Sequence, residues 1–294
     1  MSDNESSTTE MEQSNQRIDA LPPLRALVDA LDMKARKSRG QNFLFDMNLT
    51  RRIAHSARPL AGTTIEIGPG PGGLTRAILL EGANDLIAIE KDRRASAVLQ
   101  SLMTAAGKRL TLVEDDALKC PIWQMGTTPR RVVANLPYNI ATTLLIKWLE
   151  HASDFASLTL MFQREVALRI TARPGDSEYG RLSVLANWKA HTEILFDVPA
   201  SAFVPPPKII SSVIQIIPLA KPRFSCNQNY LEDVTRHAFG QRRKMLRASL
   251  KRIGGQELLA YAGINPEARP QDLEIAEFCA LARCLEARDR QKQP

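Results

Sequence analysis

The chain runs to 294 residues, 44% of them hydrophobic and 24% charged, with a formal net charge of +7. These are globular proportions with length enough for a substantial core, and nowhere do the roughly 18 uninterrupted apolar residues of a membrane-spanning helix occur. The four cysteines include no Cys-x-x-Cys pair and the four histidines are scattered, so neither a metal centre nor a disulfide framework is expected.

Residues 1–16 are acidic and Ser/Thr-rich with methionine as their only apolar side chain, a composition that predicts a disordered tail over 1–20. No basic and then apolar leader opens the sequence, which predicts a cytoplasmic protein. The pattern from Leu21 to Arg58 is helical, interrupted by a loop at Ser38–Leu44, with a helix restarting near Asp46 or Asn48. Thr63–Ile67 reads as a buried strand, Gly68–Gly73 as a glycine-rich turn and Leu74–Leu80 as a helix closed by Gly82. A second strand spans Asp85–Glu90, a helix Arg93–Ala106, and further strands Leu110–Glu114 and Arg131–Ala134. Next come a helix at Thr142–His151, a strand at Ser157–Phe162 and a helix at Gln163–Thr171, then strands at Glu193–Val198 and Ser212–Ile217.

The proline-dense segment Phe203–Lys208 is expected to be irregular, because proline has no N–H to donate to a ladder. Beyond Pro218 only helices are expected, at Phe239–Ile253, Gln256–Ala262 and Gln271 to about Leu285. Cys279 and Cys284 fall on the last of these and are expected to be buried, reduced thiols. Strands alternating with helices imply an α/β fold whose parallel sheet carries helices on both faces and binds ligands beyond the carboxyl ends of its strands. The expected organisation is the tail (1–20), a large α/β domain (21–218) and a small all-α domain (219–294).

The chemistry concentrates at that sheet edge. Glu66 to Gly73 satisfies G-x-G-x-x-G, with Gly68 and Gly70 bringing backbone close to a ligand, so a dinucleotide reading stands open. Glu66 just ahead of the glycines, with Pro69 and Pro71 between them, is more typical of adenosylmethionine-dependent methyltransferases. Glu90 at the end of the second strand can accept from both ribose hydroxyls of an adenosine, which serves either cofactor; the plainer reading is a solvated acid beside Lys91 and Arg93. Asp116 is the preferred acceptor for an adenine amino group, with Asp115 or Glu114 taking that place if the register slips and a helix-capping acid as the competing account.

Asn135-Leu136-Pro137-Tyr138 decides between the cofactors, since nothing here resembles the acid or polarising group a nicotinamide enzyme needs. An adenine amine is a poor nucleophile because its lone pair is delocalised into the ring. If the Asn135 side-chain oxygen and the Leu136 carbonyl both accept its hydrogens, the nitrogen is drawn toward tetrahedral geometry and its lone pair can face a methyl group. Such a transfer needs positioning more than acid–base work, and no metal. Tyr138 would stack on the target base, as in enzymes that take a base out of its helix or loop. A strand-end turn with a core tyrosine is the alternative.

These residues resemble one family closely, the ribosomal RNA adenine dimethyltransferases, and specifically the bacterial small-subunit enzyme. Its motifs recur in order from about Ala35 to Arg283: Gly40–Leu44, Glu66–Gly70, Ile89–Asp92, Asp116–Leu118, Asn135–Asn139, Tyr179–Ser183, and Ser201–Phe203 with Pro205–Lys208. The resemblance implies a Rossmann-like, S-adenosyl-L-methionine-dependent catalytic domain with a small helical domain. It implies dimethylation of two adjacent adenosines near the 3′ end of small-subunit rRNA during ribosome assembly, by a monomer. Asn42, Leu44, Gly68, Gly70, Glu90, Asp116 and Asn135 would line the cofactor site, and Phe203 would face the target base opposite Tyr138. The chain departs from the family at Ala200, where a second proline is common, and residues 1–20 lie outside the family core.

Arg236 to Arg252 carries seven cations and no acid, and Lys34, Arg36, Lys37 and Arg39 form a second cluster. Arg243, Arg247 and Lys251 recur every fourth residue, with Leu246, Leu250 and Ile253 on another helical face, so one side packs and the other meets phosphate. A merely solvated basic face is the usual alternative. Three other functional readings stay open: an NAD oxidoreductase, a large-subunit adenine methyltransferase of the resistance type, and a ribosome-assembly factor that acts by binding.

Overall fold

The computed structural model describes residues 2–30 and 42–291. The basic cluster Lys34, Arg36, Lys37 and Arg39, with Gly40 and Gln41 of the first motif, lies outside them. No helix among the described residues is long and apolar enough to cross a membrane.

Helix α1 (Ser2–Asp19) opens the chain, which overturns the expectation of a disordered tail. Its composition is reconciled with order by polar contacts around one buried anchor. Ile18 is fully buried in the main apolar core. Ser14 Oγ and Arg17 Nε each donate to the Ala105 carbonyl at 3.2 Å, one of the carbonyls a helix C-terminus leaves without an intrahelical partner. Arg109 donates in turn to Asn15 Oδ1 at 2.9 Å and to Ser14 Oγ at 3.1 Å.

After α2 (Leu24–Ala30), strand β1 (Phe43–Leu44) leads into α3 (Met47–Ser56), whose cap Asp46 accepts from the Asn48 and Leu49 amides. The alternation that follows is β2 (Thr63–Ile67), α4 (Gly73–Leu80), β3 (Asp85–Ile89), α5 (Arg93–Ala106), β4 (Leu110–Val113), β5 (Arg130–Asn135), α6 (Tyr138–Glu150) and β6 (Ser157–Gln163). All five residues of β2 are buried, as a strand covered on both faces requires. Next come α7 (Arg164–Thr171), α8 (Arg181–Lys189), β7 (Ala190–Val198), β8 (Phe203–Val204) and β9 (Ser211–Pro218).

Seven strands form one sheet in the order β4-β3-β2-β5-β6-β9-β7. The run from β4 to β6 is parallel, and β9 lies antiparallel to β6. Chain order reverses between β2 and β5, which is the switch point where such sheets open a crevice at their carboxyl edge. The proline-dense segment is less irregular than expected: Phe203 and Val204 pair antiparallel with Leu44 and Phe43, and the ladder stops at Pro205.

The chain forms two compact units, Met1–Ala167 with Glu193–Pro218, and Leu168–Thr192 with Leu219–Pro294. The helical unit therefore takes in α8 and its flanks, which a boundary after residue 218 assigned to the α/β domain. Side-chain packing explains this membership. Buried Tyr179 meets Phe239 edge-on, Phe239 packs on Phe278, and Trp188 Nε1 donates to the Phe224 carbonyl at 2.7 Å.

The rest of this unit is α9 (Gln228–Gly240), α10 (Leu246–Ser249), α11 (Gly255–Ala262) and α12 (Ile275–Gln291). The single helix expected over Phe239–Ile253 is thus broken into the end of α9, a turn, α10 and a 3-10 turn at Lys251–Ile253. The Leu246 and Arg247 amides explain the break: they donate to the Ala268 and Pro266 carbonyls instead of to the preceding turn. On α12 Cys279 is buried, but Cys284 is only half-buried.

Candidate active site

Four successive parallel strands deliver their following residues to one place. Gly68 and Gly70 come from the turn after β2, Glu90 follows β3, Asp116 lies in the loop after β4, and Asn135 ends β5. All line a single cavity of about 350 Å³, which Asn42 and Leu44 also border. Gly68 and Gly70 hold φ angles of 68° and 53°, the left-handed region that a side chain disfavours.

The electrostatics of this cavity discriminate between ligands. Glu66, Glu90, Asp92, Asp115 and Asp116 line it, and Lys91 is the one cation among its described residues. The Gly68 amide donates to the Ile89 carbonyl at 2.9 Å and the Gly70 amide to Glu90 Oε2 at 3.3 Å. The amides that would cradle a pyrophosphate are already engaged, and the aspartates Asp92, Asp115 and Asp116 oppose its charge. A cationic ligand with hydroxyl donors fits the same surface.

Burial pushes the Glu66 carboxyl up to about 8, with the Thr75 hydroxyl opposing and the neighbouring Glu90 adding to the rise. Its Oε2 is buried with no hydrogen-bond partner among the described residues. Glu90 is likewise raised by burial, although the Asp92 amide donates to its Oε1 at 2.7 Å. Asp116 goes the other way, because Lys91 Nζ at 2.7 Å and the Leu118 amide at 3.1 Å hold it below the ordinary carboxylate range. Of the register alternatives, Glu114 is tied to Ser96 at 2.5 Å and does not line the cavity. Asp115 does line it, but it already accepts from the Asp116 amide and Cys120 Sγ.

Asn135 Nδ2 donates to the Asn42 carbonyl at 3.3 Å. That bond orients the amide, and no donor among the described residues reaches its Oδ1. Leu136, Pro137 and Tyr138 border the same cavity. Tyr138 is the first residue of α6, and its hydroxyl meets Ser211 Oγ at 2.5 Å. Phe203 departs from its expected position. It is 1% exposed, belongs to the apolar core and does not line the cavity, because its pairing with Leu44 turns it inward. In this conformation its ring cannot stack on a base.

The expected phosphate face is also rearranged. Arg243 lies in the turn after α9, Arg247 on α10 pairs with Glu267 at 3.4 Å, and Lys251 lies in the 3-10 turn. Lys251 does join Arg236, Lys244 and Arg252 around a cavity of about 500 Å³, with His237 and Ser249 also at its wall. Lys244, Lys251 and Arg252 carry no ion pair among the described residues, whereas Arg236 is neutralised by Asp233. Helical spacing could not find this set, because it presumes an unbroken helix.

The profile of the family described as ribosomal RNA adenine dimethylase matches residues 32–287. The chain belongs to that family. Among its relatives, the ribosomal RNA small subunit methyltransferase A of Sinorhizobium medicae is 51% identical over 272 residues, covering 91% of this chain and 99% of that protein. The protein of the same description in Rhodospirillum rubrum is 52% identical over 271 residues, covering 92% and 94%. Among solved structures, a dimethyladenosine transferase from Plasmodium falciparum superposes with a TM-score of 0.68 at 26% identity, covering 81% of this chain and 95% of that one. The 23S rRNA methyltransferase ErmE gives a TM-score of 0.63 at 25% identity, covering 83% and 100%. The dimethylase is therefore a Rossmann-like α/β enzyme with a helical C-terminal region.

Proposed function

We propose that this dimethylase transfers methyl groups from S-adenosylmethionine to N6 of two adjacent adenosines near the 3′ end of small-subunit rRNA, acting as a cytoplasmic monomer on an assembling subunit. Identity of about half to small-subunit methyltransferases over nearly their whole length supports this target over the large-subunit one of ErmE. The observation that carries the chemistry is the Asn135 amide, which lines the cavity with its nitrogen engaged by Asn42 and its oxygen without a donor among the described residues.

The acidic, pyrophosphate-hostile lining fits S-adenosylmethionine, which when bound supplies an electrophilic methyl carbon on a cationic sulfur. Glu90 would accept from the ribose hydroxyls and Asp116 from the adenine amine, each carboxylate oxygen keeping a lone pair beyond its present bond. Asn42, Leu44, Gly68 and Gly70 would wall the site. Asn135 Oδ1 and the Leu136 carbonyl would accept the two hydrogens of the target amine, with Pro137 fixing the turn and Tyr138 stacking on the base. Such a preorganised pair of acceptors stabilises the charge that develops on the attacking nitrogen.

Subunit affinity is ascribed chiefly to Lys244, Lys251 and Arg252, with Arg243 and the paired Arg247 contributing less. Mass spectrometry of rRNA from undermethylated subunits incubated with protein and labelled cofactor tests the whole reading. Two neighbouring adenosines are each expected to gain two methyls, and modification confined to large-subunit rRNA would refute it. A thermal shift with adenosylhomocysteine but none with NADH is expected in the same samples.

A further inference from the structure

Tyr138 is attached at two points that lie far apart in the chain. Its backbone starts α6, three residues after β5 ends, and its hydroxyl rests on Ser211, the first residue of β9. Between those strands in the sheet stands β6, whose last residue Gln163 pairs with Ser211. The ring therefore reaches across the carboxyl end of β6, with its hydroxyl edge fixed at the far side, and Tyr138 lines the cavity. Ser211 is itself fully buried and cannot follow a ring that swings into solvent. Its neighbour Ser212 is held by Asp197 at 2.6 Å, and Asp197 accepts from Arg164 Nε at 3.0 Å, so the start of β9 is a rigid support.

An aromatic platform catches a base only if its plane is already set, because ordering a rotor on binding costs affinity and alignment. Phe203 supplies no second platform here, since it is sealed in the core. We infer that Ser211 is a positioning residue for the methyl transfer: it holds the Tyr138 ring in the plane on which the target adenine stacks. This inference rests on the stacking role proposed for Tyr138.

The test compares Ser211→Ala, Tyr138→Phe, their double variant, Ser211→Thr and Tyr138→Ala, using undermethylated small subunits as substrate. Ser211→Ala and Tyr138→Phe delete the same bond from opposite ends. Each is expected to lower kcat/KM by about tenfold, the scale of one buried hydrogen bond. The double variant is expected to be no worse than either single one. Ser211→Thr, which keeps the hydroxyl, is expected to recover most of the loss. Adenosylhomocysteine affinity by calorimetry is expected to stay at the parent value throughout, a readout that general damage to the fold would move.

Full turnover by Ser211→Ala, or losses that multiply in the double variant, would overturn the inference while leaving the stacking reading intact. Should Ser211→Ala fail to fold, Tyr138→Phe alone still decides, because it removes the bond and keeps the ring. An active Tyr138→Ala would instead sink the stacking reading, and the inference with it.

Discussion

Asn135 and Glu66 each carry a side-chain oxygen with no hydrogen-bond donor among the described residues, and the consequence of each can be measured. The Asn135 amide is oriented by Asn42, so Asn135→Ala removes an acceptor without disturbing the carboxylates that line the cavity. Its turnover is expected to fall by about 10²–10³, as when a preorganised polar group is deleted from an active site. Adenosylhomocysteine affinity is expected to remain within about threefold of the parent, and equal losses in both would show that Asn135 serves only the cofactor. Glu66 is a buried acid raised from 4.5 to about 8. Below pH 4.5 it is protonated folded and unfolded alike. Between that pH and about 8 the folded chain keeps a proton that the unfolded chain has released, so stability falls as pH rises and levels off above. Glu66→Gln is permanently neutral and abolishes that fall. Its melting temperature is expected to gain on the parent steadily from pH 5 to pH 8, and a gap independent of pH would mean that the carboxyl is already ionised.

At the scale of elements, strand and helix alternation through β6 was legible because period and burial agree there. Gly82 and Asp46 marked helix ends through backbone demands that the sequence states directly. The failures share a cause, namely contacts between segments distant in sequence. Helix α1 was unreadable because its order depends on Ile18, on the end of α5 and on Arg109. The β8 pairing depends on Phe43 and Leu44, some 160 positions away. Ile18→Ala removes a fully buried side chain, a change worth about 2–5 kcal/mol in a core. The loss is expected to release α1 from α5 and Arg109 and to appear as faster proteolysis within residues 2–19, with the melting of the remainder little changed. Cleavage at the parent rate would show that polar contacts alone hold the helix.

At the scale of the whole molecule, the net charge of +7 divides into regions of opposite character. The first cavity is acidic and the second basic. Lys244, Lys251 and Arg252 are the basic cavity's cations without an ion pair among the described residues, so their joint reversal to Glu is expected to weaken binding to small subunits and to flatten its salt dependence by about 0.7–0.9 per cation. Adenosylhomocysteine affinity serves as the control that should not move. Reversal of Arg247 alone is expected to do much less, since Glu267 already offsets its charge. A salt slope equal to the parent's in the triple variant would place the phosphate contacts elsewhere. By itself the sequence determined the α/β alternation, the glycine turn and the order of the motifs, because each is written in local propensity and in short, contiguous residue types. Only the tertiary structure decided that Phe203 is core, that the basic stretch is not one helix, and that Ser211 reaches Tyr138. Those outcomes depend on which distant groups compete for the same backbone amides and the same buried space.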